Sequence, residues 1–333
     1  MKRPGLTIVV NAVVCLLLGN LLVGAMMLDH SGWLDGFLGD LFTNGIYAED
    51  DSYSVGNTTL SADGVTNIDL GWGAGSVTIR VGEGSSIELT EDVSNASDEN
   101  EIIHWKVENE TLRIRCGRRN GTLLSIFNWN YPDKSLTLTI PASLAEQLGT
   151  VEVRVASATV TAGDLRARRL SVDTASGAVK LSNITADAIE LNTASGDLYG
   201  ANLTAERLEL DGASAKQSFT DCTVSGMVEC DTASGSFFYS GSLGSLEADT
   251  ASGNIELHLT APAGTLEIDS ASGNVTVTLP SDLPGLTAEM DSASGDLIFD
   301  FAIRYQGDAA VYGDGSMKVE IDTASGDAKF RMD

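Results

Sequence analysis

Apolar and polar residues alternate over short runs along most of this chain, and the phase of the alternation slips at regular intervals. Around Asp269 the chain reads Leu266-Glu267-Ile268-Asp269-Ser270, then Ala271-Ser272-Gly273, then Asn274-Val275-Thr276-Val277-Thr278-Leu279. Strand side chains point alternately to the two faces, so Leu266, Ile268 and Ser270 share an inward face and Glu267 and Asp269 the outward one. Val275, Val277 and Leu279 resume an inward face after the slip, which predicts strand, bend, strand. Gly273 supplies backbone freedom for the bend, and Asp269 is placed to accept an N–H two residues on, as in an Asx turn. Leu170/Val172 lead to Val179/Leu181 in the same way, Ile189/Leu191 to Leu198, and Leu246/Ala248 to Ile255/Leu257.

The bend is a pentapeptide that recurs. Asp-Thr-Ala-Ser-Gly or a near copy starts at Asp173, Asn192, Asp231, Asp249, Asp269, Asp291 and Asp322, with weaker copies at Arg154 and Asp211. From Asp173 the spacings are 19, 19, 20, 18, 20, 22 and 31 residues. A period near twenty marks a repeat architecture whose units bury their apolar faces only by stacking. Two short strands per repeat, stacked through parallel ladders about 4.8 Å apart, give an all-β fold. Since parallel crossovers are overwhelmingly right-handed, the expectation is a right-handed single-stranded parallel β-helix, a β-solenoid with rungs of about 20 residues. The turn glycines are Gly177, Gly196, Gly235, Gly253, Gly273, Gly295 and Gly326. The inward Thr/Ser column (Thr174, Thr193, Thr232, Thr250, Ser270, Ser292, Thr323) is expected to hydrogen-bond along the stack, and the outward Asp column to be a line of mutually repelling carboxylates.

The ends depart from the repeat. Ile68-Asp69-Leu70 and Ser76 to Val81 read as strands around a glycine-rich turn. Trp105-Lys106-Val107 and Thr111 to Arg115 flank a hairpin turn at Glu108-Asn109-Glu110, and Ser135 to Pro141 is a further strand. Phe127, Trp129 and Tyr131 fall in the least regular stretch, as candidate ligand contacts or as a cap on the core. The charged final strand around Lys329 and Arg331 reads as protection of an open edge.

Before the repeats, Lys2 and Arg3 precede an apolar run from Leu6 to Leu28, long enough to span a bilayer, and Asp29, Asp35 and Asp40 follow it. The expected order is a cytoplasmic N-terminus at 1–5, a transmembrane signal-anchor at 6–28, and a juxtamembrane amphipathic linker at 29–48 with Trp33, Leu34, Phe37, Leu38, Leu41 and Phe42 at helical spacing. An irregular N-terminal part of the solenoid at 49–150 and regular repeats at 151–333 complete it. This orientation is N-in with the ectodomain outside. Secretion after cleavage near Ala25 is the alternative.

Composition narrows the function. A net charge of −27 argues against nucleic-acid partners, and 35 Gly with 6 Pro suit a chain of many tight turns. Among the four cysteines, Cys222 and Cys230 flank Ser225-Gly226 and form a candidate disulfide. The three histidines, His30, His104 and His258, fit no ligand spacing, and no nucleophile elbow, Walker loop or dinucleotide fingerprint is present, so no catalytic or cofactor-binding residue is expected. Calcium is the one metal with candidates, at Asp249, Asp269, Asp291, Asp296, Asp322 and Asp327. It requires six to eight oxygens, more than one Asp per rung supplies unaided.

An N-terminal anchor, the strand Leu138-Thr139-Ile140-Pro141 and repeated Ser-Gly-[Asp/Asn]-[Val/Leu/Ile] rungs together resemble the bacterial putative-adhesin domain family, a domain-of-unknown-function family of membrane-anchored β-solenoids. The resemblance covers about residues 50–333 and implies a β-helix at the cell envelope without catalytic residues. The expected function is a non-enzymatic, membrane-anchored, extracytoplasmic binding or structural module, with an envelope glycan or membrane protein as partner. The alternatives are an ectodomain that modulates an envelope-stress signalling system, which the resemblance implies, and a polysaccharide-cleaving β-helix enzyme.

Overall fold

The computed structural model describes residues 46–48, 52–93, 101–117 and 134–333. The predicted anchor at 6–28, the cleavage site near Ala25, nearly all of the linker at 29–48, and Phe127, Trp129 and Tyr131 lie outside the described residues. Among the described residues no helix is long and apolar enough to cross a membrane. Their regular structure is strand throughout, apart from one short helix, Ala142–Ala145. They form two compact units, one ending at Tyr199 and the other running over Gly200–Asp333.

In the first unit, Thr159–Thr174 pairs in parallel with Val179–Thr193 at an offset that matches the repeat, Val160 opposite Val179 and Thr174 opposite Thr193. On its other side it meets Leu148–Val155 and Ser76–Gly82. The early strands are inserted among later ones. Asn67–Trp72 lies between Thr111–Arg115 and Leu148–Val155, and Ser76–Gly82 between Lys134–Pro141 and Thr159–Thr174. Antiparallel strands then close this end: His104–Glu108 on Thr111–Arg115, and Ser86–Val93 on Lys134–Pro141. The first pair is the expected hairpin, turned by Asn109 and Glu110 at φ 50° and 60°, the left-handed geometry of a tight two-residue β-turn.

The second unit stacks Gln217–Ser234, Phe237–Ser252 and then Thr265–Ser272 in parallel register, Asp231 opposite Asp249 and Asp249 opposite Asp269. Here spatial order leaves chain order. Thr265–Ser272 pairs with Met317–Ser325, and that strand in turn pairs in parallel with Gly285–Ser294. The last pentapeptide, at Asp322, therefore sits between those at Asp269 and Asp291. The 31-residue gap before it contains the antiparallel hairpin Arg304–Gln306 and Ala309–Gly313, whose second strand lies against Gly285–Ala288. Ala328–Met332 is likewise held between Val275–Leu279 and Leu297–Phe299. The predicted edge protection by Lys329 and Arg331 is thus corrected: their strand is interior to the sheet.

Inward columns make the core. Trp72, Phe219, Tyr239, Leu257, Val277 and Phe330 are fully buried. The corners come in two forms. In the first unit Thr174 Oγ1 accepts the N–H of Gly177 at 2.9 Å and Thr193 Oγ1 that of Gly196 at 2.7 Å. In the second unit the glycine N–H groups of Gly235, Gly253, Gly273 and Gly326 go to serine carbonyls of the neighbouring rung, and the hydroxyls of Thr232, Thr250, Ser270 and Ser292 have no partner among the described residues. The expected hydroxyl ladder does not form, because a rung spacing of about 4.8 Å exceeds hydrogen-bond reach between equivalent oxygens.

The glycines serve close approach more than turning. A Cβ on Gly253 would lie 1.7 Å from the carbonyl oxygen of Gly235, and equivalent contacts hold at Gly177, Gly196, Gly235, Gly273, Gly295 and Gly326. Of these, only Gly273 and Gly326 also have left-handed φ, 146° and 132°.

Two stability predictions follow from this packing. Gly253→Ala should destabilise the protein by about 1–3 kcal/mol through backbone overpacking, whereas Gly64→Ala meets no atom within 4 Å and is disfavoured only by its φ of 76°. Phe330→Ala should cost about 3–5 kcal/mol, as for an interior aromatic, while Tyr305→Ala, at 65% exposure, should stay within about 0.5 kcal/mol. Urea titration checks both, and a Phe330 value as small as that of Tyr305 would contradict the inserted strand order.

Candidate functional site

Parallel in-register pairing turns each outward motif position into a file. In the second unit Asp231, Asp249, Asp269, Asp322 and Asp291 stand opposite one another in that spatial order. Two residues earlier on the same face, Glu229, Glu247, Glu267, Glu320 and Glu289 form a second file. Neighbours in each file are about 4.8 Å apart at the backbone. The cations nearby do little to offset them. Arg207 pairs with Glu209 and Glu229 at one end, and Lys318 Nζ bonds Thr287 Oγ1 and the carbonyl of Gly315. Among the described residues no ion pair reaches Glu247, Glu267 or Glu320, nor the aspartates between them.

The crowding shows in proton affinity. Asp231, Asp249 and Asp269 are each pushed from 3.8 up to about 6, first by desolvation between rungs and then by the next carboxylates in line. Asp322 is raised by the same causes, with Asp291 and Glu320 as the repelling neighbours. The same two files in the first unit are mixed. They read Arg115, Gly71, Arg154, Asp173, Asn192 and Arg113, Asp69, Glu152, Ser171, Glu190. Asp69 is held by Arg115 at 2.7 Å and Arg154 at 3.1 Å, with Arg113 at 3.9 Å. Asn192 Nδ2 donates to Asp173 Oδ1 at 2.8 Å. Desolvation still raises Asp173, and the Asn192 bond opposes the shift. The rung geometry therefore accommodates neutralised files, and the second unit carries unneutralised ones.

The calcium candidates divide. Asp249, Asp269, Asp322 and Asp291 are neighbours in the Asp file, but Asp296 and Asp327 belong to another. There Asn274 N–H donates to Asn254 Oδ1, Asp327 N–H to Asn274 Oδ1 and Asp296 N–H to Asp327 Oδ1, each at 3.0 Å. That file follows the corner and stitches rungs together, so it does not complete a ligand set with the Asp file. Among the described residues no group of three or more His, Cys, Asp or Glu side chains converges to hold a metal. Cys222 and Cys230 are separate buried thiols, which corrects the candidate disulfide. Cys222 Sγ bonds the carbonyl of Thr220 and Cys230 Sγ bonds Gln217 Oε1, because the rung runs extended between them.

Two features escaped the sequence reading. One is a second corner in four of the long rungs, made by left-handed Asp164 and Asn183 in the first unit and Asn202 and Asp221 in the second, at φ 54–61°, with Gly241 at φ 141° in Phe237–Ser252. The spacing of 19 residues among the four Asp and Asn was visible but overshadowed by the pentapeptide. The other is the buried ion pair of Glu91 and Lys134, 3.3 Å apart, with Glu91 Oε2 also accepting the N–H of Ile103. No local pattern announces that pair.

The Asp file makes stability pH-dependent. Because Asp231, Asp249 and Asp269 bind protons more tightly folded than at the ordinary 3.8, they favour the fold below pH 4, and that contribution is lost as pH rises through about 6. Asp249 and Asp269 are exposed, so solvent screening keeps the effect modest. The double variant Asp249→Asn/Asp269→Asn should melt at a higher temperature than the native protein at pH 7, with a flatter dependence on pH between 4 and 6. Thermal melts across that range read both, and an unchanged slope would contradict mutual repulsion along the file.

Seven solved structures match the chain, and no curated protein matches it. One, described as a "putative cell adhesion protein" from Clostridium sporogenes, is 11% identical over 85% of this chain and 100% of its own, with a TM-score of 0.29. A "putative lipid binding protein" from Parabacteroides distasonis is 16% identical over 84% and 97%, with a TM-score of 0.42. A "putative adhesin" from the same species is 11% identical over 84% and 98%, with a TM-score of 0.36. The family model described as Toastrack DUF4097 matches residues 65–331. The adhesin-like, solenoid-like family expected from the Ser-Gly rungs is the one found, and this chain belongs to the Toastrack DUF4097 family.

Proposed function

We propose that this chain is a non-enzymatic binding module of the cell envelope, which presents the double carboxylate file of its second unit to a cationic surface or partner. The observation that carries this reading is the file itself. Five Asp and five Glu positions are held in register with little cationic offset, although the first unit intersperses Arg, Asn and Ser among the acids at the same positions. Repulsion along such a file costs stability, and a linear array of negative charge is what steers and orients a positively charged partner. The apolar run at 6–28, with Lys2 and Arg3 before it, supports display outside a membrane with the N-terminus inside. The rung-on-rung register supports a right-handed β-helical winding, since parallel crossovers take that hand.

Neutralising the file tests this reading. Full-length protein is immobilised and exposed to detergent-solubilised envelope of the source organism, with and without Ca²⁺. The native chain should retain a specific protein or glycan, and Asp249→Asn/Asp269→Asn/Asp322→Asn should retain it about tenfold less, with the difference shrinking as salt is added. Equal retention by the two proteins, or none by the native chain, would remove the file from the function. Retention that requires Ca²⁺ would make the file a cation-bridged surface.

A further inference from the structure

The last rung of the second unit ends in an unfinished ladder. Through this unit, the first inward residue after each corner sends its N–H to the following rung: Phe237 to the carbonyl of Asn254, Ile255 to that of Asn274, Val275 to that of Asp327 and Ala328 to that of Asp296, at 2.9–3.0 Å. Each corner glycine does the same, Gly326 reaching the carbonyl of Ser294. Leu297 and Gly295 hold these positions in the terminal rung, and among the described residues no rung follows. The Asn/Asp file ends similarly. Each member accepts an N–H from the next rung, and Asp296 is the last, so its carboxylate is an acceptor facing outward from the stack. Ser292 Oγ, at the corner, has no partner either, so it does not cap Gly295 as Thr193 caps Gly196. Among the described residues nothing else pairs with this edge.

The cover over the end is partial. The strand Ala309–Gly313 pairs antiparallel with Gly285–Ala288 and stops there, which leaves the stretch from Glu289 to Phe299 without a paired strand on that side among the described residues. In the first unit, by contrast, antiparallel strands cover both halves of the end rung. Leu297 and Phe299 are half-buried, where Ala328 and Phe330 one rung behind are fully buried. Phe301 packs edge-on against Phe299 at 5.4 Å, so Leu297, with Met290 on the other half of the rung, is left as an inward apolar position that a further layer would cover.

We propose that this edge is a docking site for an extended basic segment of a partner protein, which adds in parallel register as one more rung. Donors at Gly295 and Leu297 and the acceptor at Asp296 continue the ladder used between all the rungs behind them, so an added strand needs no rearrangement of the site. Charge selects the occupant. Glu289 and Asp291 end the two acidic files, and a strand with lysine or arginine opposite them would offset the repulsion at that end of the files. A second copy of this chain is disfavoured, because a two-fold pairing centred on Met290 sets Glu289 directly opposite Asp291, with no cation from the partner copy to offset them. An aliphatic residue beyond the corner would cover Leu297. This inference goes beyond the binding-module reading, since it concerns the end of the stack and not its flank.

The test uses the full-length protein and a short synthetic peptide that alternates lysine with valine. Controls are the same peptide with N-methylated backbone amides and a glutamate–valine counterpart. Fluorescence anisotropy should show the lysine peptide binding at least about tenfold more tightly than its N-methylated twin, because the twin keeps the charge and loses the ladder. Amide exchange at Gly295 and Leu297 should slow when the lysine peptide is bound. Leu297→Pro should abolish binding, and Asp291→Lys should shift preference toward the glutamate peptide. Since Leu297→Pro also trims packing, the exchange measurement on the native chain stands independently. Equal binding of the two lysine peptides would reduce the interaction to charge along the flank and overturn the proposal, as would absence of binding. Concentration-dependent protection of the same amides without peptide would assign the edge to a second copy instead.

Discussion

Register between parallel rungs is the constraint from which the other features follow. Once each residue stands opposite its equivalent about 4.8 Å away, any property of a motif position is repeated down a file. Inside, that gives continuous columns of Val, Leu, Ile and Phe with little exposure. At the corners it forces glycine, because the backbone of one rung passes so close to the next that a single Cβ would collide with a carbonyl oxygen. Outside, it lines up like charges that a globular surface would scatter.

The two units meet that last consequence differently. In the first, Asp69 is gripped by Arg115 and Arg154, and Asn192 donates to Asp173. Hydrogen bonds and ion pairs convert the files into cross-links between rungs. In the second, desolvation and repulsion are left to raise carboxylate proton affinity, and apolar burial beneath the files must outweigh them. This contrast between the two units is what the proposed binding role rests on.

Ends matter as much as files, because a repeat stack has no intrinsic stop. Antiparallel strands close the end rung of the first unit, and a hairpin covers half of the terminal rung of the second. The threading of Met317–Ser325 and Ala328–Met332 between earlier rungs places both strands inside the sheet and leaves Gly285–Phe299 outermost among the described residues. The acids of that rung discourage self-pairing while its ladder remains open.

The rung itself was legible in the sequence, because it depends on local rules: alternation fixes which of Leu266, Glu267, Ile268 and Asp269 face inward, and the pentapeptide fixes the corner. The family resemblance followed from the same residues. Stacking order was not legible, since all the pentapeptides are near copies and nothing in Asp322 says that its neighbours are Asp269 and Asp291. That choice belongs to the hairpin in the 31-residue gap. The sequence also supplied the acids of the two files, but only register could show that Asp249 and Asp269 crowd each other while Asp296 and Asp327 serve a different file. It supplied Cys222 and Cys230, and only the extended path between them kept the thiols apart. Side-chain periodicity is written one residue at a time and survives without long-range contacts, whereas which rung lies on which is decided by packing among equivalents, and only the folded chain settles it.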